Sequence, residues 1–165
     1  MVERIWAPWR GEYIESAKDR PADDACLFCR KLAEGDDEAA YILIRSDRAF
    51  VMLNAFPYNP GHLMVAPIRH EGDLERLEGE ELAAGDDLLQ RSVVALKETY
   101  GPDGFNIGVN LGRVAGAGVP GHLHWHVVPR WNGDTNFMPV VGETRVLPEL
   151  LEETYARLRL RFEPG

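Results

Sequence analysis

The chain has 165 residues, 45% of them apolar, and a formal charge of −9 at neutral pH. That length suits a single domain with one core, residues 1–165, and no apolar run approaches the roughly 20 residues that span a bilayer. The acidic balance argues against a nucleic-acid partner. The N-terminus has neither the apolar stretch nor the cleavage site of a secretory signal, so a cytoplasmic protein with no membrane attachment is expected.

Residues 1–25 read as an N-terminal arm carrying Trp6, Trp9 and two prolines. "CRKLAEG" then predicts a short helix stopped by Gly35. "AYILIRS" and "RAFVMLN" predict two strands joined by a turn at Ser46–Asp47. "FPYNPG" breaks the chain before a third strand, "HLMVAP", which ends at Pro67. Over 78–99 the spacing of Leu82, Leu89, Val93 and Leu96 predicts a helix with its carboxylates on the other side. "FNIGVN" and "HLHWHVV" are the fourth and fifth strands, joined by the glycine-rich "LGRVAGAGVPG". The segment 146–165 reads as a last helix and tail, with Pro148 in the first turn and Leu151, Tyr155, Leu158 and Phe162 along one face. Hairpins with segregated helices give an α+β domain, its mainly antiparallel five-stranded sheet covered by helices.

The charge is uneven. From Glu71 to Asp87 eight carboxylates stand against one arginine, whereas Phe105 to Trp131 has no carboxylate and carries Arg113 and Arg130. An anionic small molecule is better accommodated by the second stretch. There His122, His124 and His126 occupy alternate positions of a strand, so the three imidazoles share one face and Leu123, Trp125 and Val127 take the other. A solvated polar face would produce this pattern, and so would a three-histidine catalytic zinc site. A third reading makes one histidine a structural ligand and leaves the others to chemistry. Cys26 and Cys29, in "CLFC", are equally open to interpretation. A short-loop disulfide is rare in a cytoplasmic protein, a redox pair wants a helix start after a strand, and a half zinc site needs two more ligands. The glycine-rich loop before the histidines lets backbone N–H groups approach an anion, although it lacks a Walker lysine. A neutral imidazole is a competent nucleophile at phosphorus, which makes the row a nucleophile and its helpers.

The run His122-Leu-His124-Trp-His126-Val-Val resembles the signature of the histidine triad superfamily. "CLFC", "FVMLNAFPYNPGHLMVAPIRH", "GFNIGVNLG" and "HLHWHVVPRW" follow that family's order, so the resemblance covers most of the chain. "WAPWR" and "PRWNGDTNFMPVVGETRVLPELL" are similar to the diadenosine tetraphosphate phosphorylase (ATP adenylyltransferase) branch. The resemblance implies a homodimer in which His124 attacks the α-phosphorus to give a nucleotidyl-histidine. His126 would bind the phosphate and assist the leaving group, supported by His62. Asn54 would hold the ribose hydroxyls and Asn110 would lie close to the phosphate. It also implies a structural zinc on Cys26, Cys29, His70 and His122, a closed two-thiolate, two-imidazole set.

One departure stands out. Relatives carry a polar side chain before the triad, where this chain reads Ala115-Gly116-Ala117-Gly118-Val119-Pro120-Gly121. Backbone N–H groups of Gly116, Ala117 and Gly118 would have to serve the phosphate, with Arg113 in the same loop. The leading expectation is phosphorolysis of diadenosine tetraphosphate to ATP and ADP, with inorganic phosphate as acceptor. The alternatives are a hydrolase of dinucleoside polyphosphates or nucleoside phosphoramidates that releases AMP, and a non-catalytic nucleotide sensor. Trp131 and Phe137 are candidates to stack on a base, or to sit in the core or a dimer interface.

Overall fold

A computed structural model describes residues 26–134 and 149–162. The arm 1–25, Phe137 and Pro148 lie outside the described residues. In chain order the elements are α1 (Leu27–Glu34), β1 (Ile42–Arg45), β2 (Ala49–Leu53), β3 (Leu63–Pro67), a 3-10 turn (Leu74–Arg76), α2 (Gly79–Tyr100), β4 (Gly104–Val109), β5 (Trp125–Arg130) and α3 (Leu151–Phe162). The strands form one antiparallel sheet in the order β1-β2-β3-β5-β4, in agreement with the α+β expectation. None of the described helices is long and apolar enough to cross a membrane.

Local chemistry explains the boundaries. Gly35 ends α1 in the left-handed region at φ 72°, where a side chain would be strained. The Ser46 hydroxyl accepts the Ala49 N–H at 3.0 Å, and the Ser46 N–H donates to the Ala49 carbonyl at 2.8 Å, closing the first hairpin. Strands β2 and β3 are buried at every residue because both sheet faces are covered. On one face Leu43, Val51, Leu53, Leu63, Val65 and Val127 pack against α2 and α3. On the other, Ile42, Phe50, Met52, Met64 and Ala66 pack around Phe28 of α1.

The inward face of α3 is as expected, with Tyr155, Leu158 and Phe162 buried and Leu151 partly so. The face of α2 agrees with the prediction in part, with Leu96 buried and Leu89 and Val93 partly buried against the core. Leu82 is 40% exposed, while Glu81, Gly85, Leu88, Ser92, Ala95 and Leu96 are buried. Each non-apolar member of that row has a physical reason. Gly85 lets the Trp125 ring come so close that a Cβ would sit 3.2 Å from it. The Ser92 hydroxyl donates back to the Leu88 carbonyl at 2.7 Å. Glu81 receives Arg69 Nε and a terminal guanidinium nitrogen, both at 2.8 Å, and that hydrogen-bonded pairing draws its carboxyl down to about 2.

Downstream of β3 the chain meets the triad segment at a tight crossing. The Leu123 N–H donates to the Glu71 carbonyl at 2.7 Å, and a Cβ on Gly72 would fall 2.5 Å from the Pro120 carbonyl oxygen. Since backbone, not a flexible side chain, blocks that position, Gly72→Ala is expected to destabilise by about 1–3 kcal/mol, in the range of other overpacking substitutions. That corresponds to a fall in Tm of roughly 3–10 °C for a domain of this size. Thermal denaturation followed by circular dichroism measures it, and an unchanged Tm would show that the crossing yields freely.

Candidate active site

The triad does not lie wholly in a strand. Only His126 is in β5, which begins at Trp125 instead of His122, because the preceding residues are taken by other partners. The His122 N–H bonds to the Val119 carbonyl at 3.3 Å, and the neighbouring Leu123 N–H bonds to Glu71 across the crossing. The triad is not a solvated face either: His122 is fully buried and His124 is 5% exposed. The expected grouping of the imidazoles is nonetheless present. The rings of His124 and His126 lie 5.1 Å apart, while Trp125 packs into the opposite core.

Each ring's proton follows from a partner that can act in only one sense. A carbonyl only accepts, so His122 Nε2–H donates to Pro67 O at 2.8 Å and the lone pair is on Nδ1. By the same argument His124 Nδ1–H donates to His122 O at 2.8 Å, which leaves the lone pair on Nε2. A backbone N–H only donates, so His62 Nδ1 accepts from Tyr58 N at 3.1 Å and its proton is on Nε2. That Nε2 is 3.0 Å from His126 Nδ1, which must accept, so the His126 proton is on Nε2. The side-by-side result is an imidazole with an open lone pair and an imidazole carrying an N–H. Burial lowers the His124 pKa below the ordinary histidine value, against the opposing effect of its bond to the His122 carbonyl, and favours the neutral ring.

Cys26, Cys29, His70 and His122 converge at the other end of this row, with one ligand atom from each lying within 4.8 Å of the rest. The His122 Nδ1 lone pair faces Cys26 Sγ at 3.3 Å and Cys29 Sγ at 3.6 Å, and His70 Nδ1 is 3.4 Å from Cys29 Sγ. Both thiols are free. The "CLFC" segment does open a helix, with Cys26 at the N-cap of α1, yet its sulfurs face imidazoles. Two thiols and two imidazoles whose sulfur and nitrogen atoms converge can hold a tetrahedral metal ion. Burial raises the Cys29 thiol, and a bound cation would offset that.

The remaining sequence candidates fall into place unevenly. Asn54 Oδ1 accepts the Phe56 N–H at 2.9 Å, which puts Nδ2 3.4 Å from His62 Nδ1. Asn110 immediately follows β4, whose last residue, Val109, pairs with Trp125 next to His124 in the chain. Arg113 is exposed in the glycine-rich loop. Two of the three expected loop donors are already engaged: the Gly116 N–H bonds Arg113 O at 3.0 Å and the Ala117 N–H bonds Gly112 O at 3.2 Å. These turn bonds leave Gly118 as the amide of the three that the loop itself does not use.

Sequence reasoning missed Phe28. It is 1% exposed, and its ring centroid lies 5.0 Å from both His122 and His124, so the cysteine segment also walls the nucleophile candidate. Its position inside "CLFC" was the available signal. The Tyr58 N–H and the Arg69–Glu81 pair beside His70 left no sequence signal, since their partners are distant or are backbone atoms.

Residues 36–133 match the HIT domain family. An AP-4-A phosphorylase of Mycobacterium tuberculosis is 39% identical over 159 residues, covering 93% of this chain and 81% of the relative. An uncharacterised HIT-like protein of Methanocaldococcus jannaschii is 35% identical over 130 residues, covering 78% of this chain and 97% of the relative. Among solved structures, a zinc-bound histidine triad family protein from Mycobacterium smegmatis superposes with a TM-score of 0.67 at 30% identity, covering 84% of this chain and 93% of the other.

Proposed function

This chain belongs to the HIT domain family, and from that premise we propose that it is a nucleotidyltransferase that phosphorolyses diadenosine tetraphosphate to ATP and ADP through a nucleotidyl-His124 intermediate. The observation that carries the chemistry is the His124 tautomer, whose Nδ1–H is held by the His122 carbonyl so that Nε2 has its lone pair available. The similarity to the M. tuberculosis phosphorylase supports the choice of substrate.

In the first step the His124 Nε2 lone pair forms the N–P bond at the α-phosphorus. The P–O bond to the leaving ATP breaks, and its electron pair stays on the leaving oxygen. No proton has to leave His124, because Nε2 carries none and Nδ1–H stays on the His122 carbonyl. The His126 Nε2–H donates a hydrogen bond to the phosphate or leaving oxygen, where negative charge builds. In the second step an oxygen of inorganic phosphate attacks phosphorus and the N–P bond returns its pair to Nε2, giving ADP. Asn54 and Asn110 would hold the ribose and the phosphate, with Arg113 and the Gly118 amide on the acceptor side.

Cys26, Cys29, His70 and His122 would hold a zinc ion, which the zinc-bound M. smegmatis relative and the donor set both support. When bound, it would supply structural cross-linking between α1, the end of β3 and the triad segment. A homodimer fits the edge strand β4, where Ile107 is 50% exposed, and the outer face of α2 at Val94.

The committed amides of Gly116 and Ala117 favour a second reading, hydrolysis to AMP, because they remove two donors an acceptor phosphate would use. Incubation of diadenosine tetraphosphate with and without inorganic phosphate separates the two. The phosphorolysis reading expects ADP, with Arg113→Ala raising the phosphate requirement. AMP in place of ADP, beside the ATP released in the first step, at saturating phosphate would make the enzyme a hydrolase.

A further inference from the structure

We infer that Asn59 and Asp134 are positioning residues that fix the proton on His126, acting through the loop between β2 and β3; the inference rests on the function proposed above. The chain of contacts begins outside the site. Asp134 is held by Arg130, whose Nε and a terminal nitrogen reach its two oxygens at 2.7 and 2.9 Å, and by the Trp131 N–H at 3.2 Å. Its Oδ2 also accepts Asn59 Nδ2 at 2.8 Å, and the same amide nitrogen reaches the Pro129 carbonyl at 2.8 Å. Asn59 is thereby tied to the end of β5. Its own carbonyl accepts the His62 N–H at 3.2 Å, so the loop is held from both sides.

The residue just before this anchor supplies the decisive donor. The Tyr58 N–H points at His62 Nδ1, and Asn54 Nδ2, also a donor, approaches the same nitrogen. With Nδ1 forced to accept, His62 keeps its proton on Nε2, gives it to His126 Nδ1 as a hydrogen bond, and so leaves the His126 proton on Nε2. This proton arrangement is lost if Tyr58 moves away. Only the longer 3.4 Å contact from Asn54 Nδ2 then opposes a proton on Nδ1, so a fraction of His62 carries one there and turns a lone pair toward His126. Two facing lone pairs repel, so the His126 proton shifts to Nδ1 and Nε2 has none to offer the phosphate. The backbone N–H of one loop residue therefore arms or disarms a ring two hydrogen bonds away, and Asn59 with Asp134 sets where that N–H sits.

Two measurements on Asn59→Ala and Asp134→Asn test this. The first is independent of activity: long-range ¹H–¹⁵N spectra of the histidine rings report which nitrogen of His62 and His126 is protonated. Wild type is expected to show Nε2–H on both, and each variant a population with Nδ1–H. The second is kinetic, using aryl esters of AMP whose leaving groups run from phenol to dinitrophenol. A hydrogen bond to the leaving oxygen matters most where charge builds most. The variants should therefore lose about 10-fold or more on the phenyl ester, part of the ~10²–10⁴-fold such groups supply, and about twofold or less on the dinitrophenyl ester. An equal loss across the series, or ring spectra identical to wild type in a folded variant, overturns the inference. Asp134→Asn keeps the side chain's shape, so it decides the matter should Asn59→Ala fail to fold. Failure of the proposed reaction itself shows separately, as a wild-type protein that forms no labelled adduct while its ring spectra are as stated.

Discussion

His124→Ala is expected to abolish turnover and to leave no nucleotidylated protein when labelled ATP or diadenosine tetraphosphate is added. Removing Nε2 removes the atom proposed to bond to phosphorus, so no weaker version of the same pathway would survive. His126→Ala differs in kind. It removes a hydrogen-bond donor worth ~10²–10⁴-fold, so residual turnover and a trappable adduct should persist. The fold sets one condition on the experiment. His124 is buried and its ring lies 5.0 Å from Phe28, so truncation opens a cavity beside the core and lowers stability as well. Rates are therefore compared per folded molecule, with circular dichroism on the same samples. A His124→Ala protein that keeps a tenth of the wild-type rate would show that the nucleophile is elsewhere.

Protein purified without chelators is expected to contain one zinc per chain, and Cys26→Ser to lose it. Structural zinc sites contribute up to ~10–16 kcal/mol of apparent binding energy, so even partial loss should exceed about 4 kcal/mol. At about 2–4 °C per kcal/mol for a domain of this size, Tm should drop by roughly 10 °C or more. The rate per folded molecule should fall less, because His122 keeps a second restraint in its Nε2–H bond to the Pro67 carbonyl. Its own carbonyl can then still hold His124. Elemental analysis showing no metal in the wild type, or a metal bound to His124, would refute the assignment.

Much of the site was legible because it is written locally in the chain. The alternate spacing of His122, His124 and His126 placed three imidazoles together, and the pairing of Cys26 with Cys29 left half a metal site among its readings. Hydrophobic periodicity was reliable for β1, β2, β3 and α3, whose inward residues are apolar. On α2 it placed Leu89, Val93 and Leu96 correctly and Leu82 wrongly, and it passed over Glu81 and Ser92, buried on hydrogen bonds to Arg69 and the Leu88 carbonyl, and Gly85, which makes room for Trp125. A pattern of apolar residues has no term for a polar group that is already satisfied. The glycine-rich loop shows the opposite error. Its composition advertises free amides, and its turn consumes those of Gly116 and Ala117.

Residue type and spacing are properties of neighbours along the chain, and they are enough to say which functional groups this protein owns and roughly which strand carries them. Tertiary structure alone decided what each group can do. The lone pair of His124 is on Nε2 because its other nitrogen meets the His122 carbonyl, and that of His122 is on Nδ1 because Pro67, fifty-five residues earlier, presents a carbonyl to Nε2. The proton of His126 is fixed by His62 and, behind it, by a backbone N–H of the β2–β3 loop. An imidazole is donor and acceptor at once, and which nitrogen plays which part is settled by the one-way partner that packing brings against it. Those partners are backbone atoms that every residue has, so no side-chain pattern can announce them.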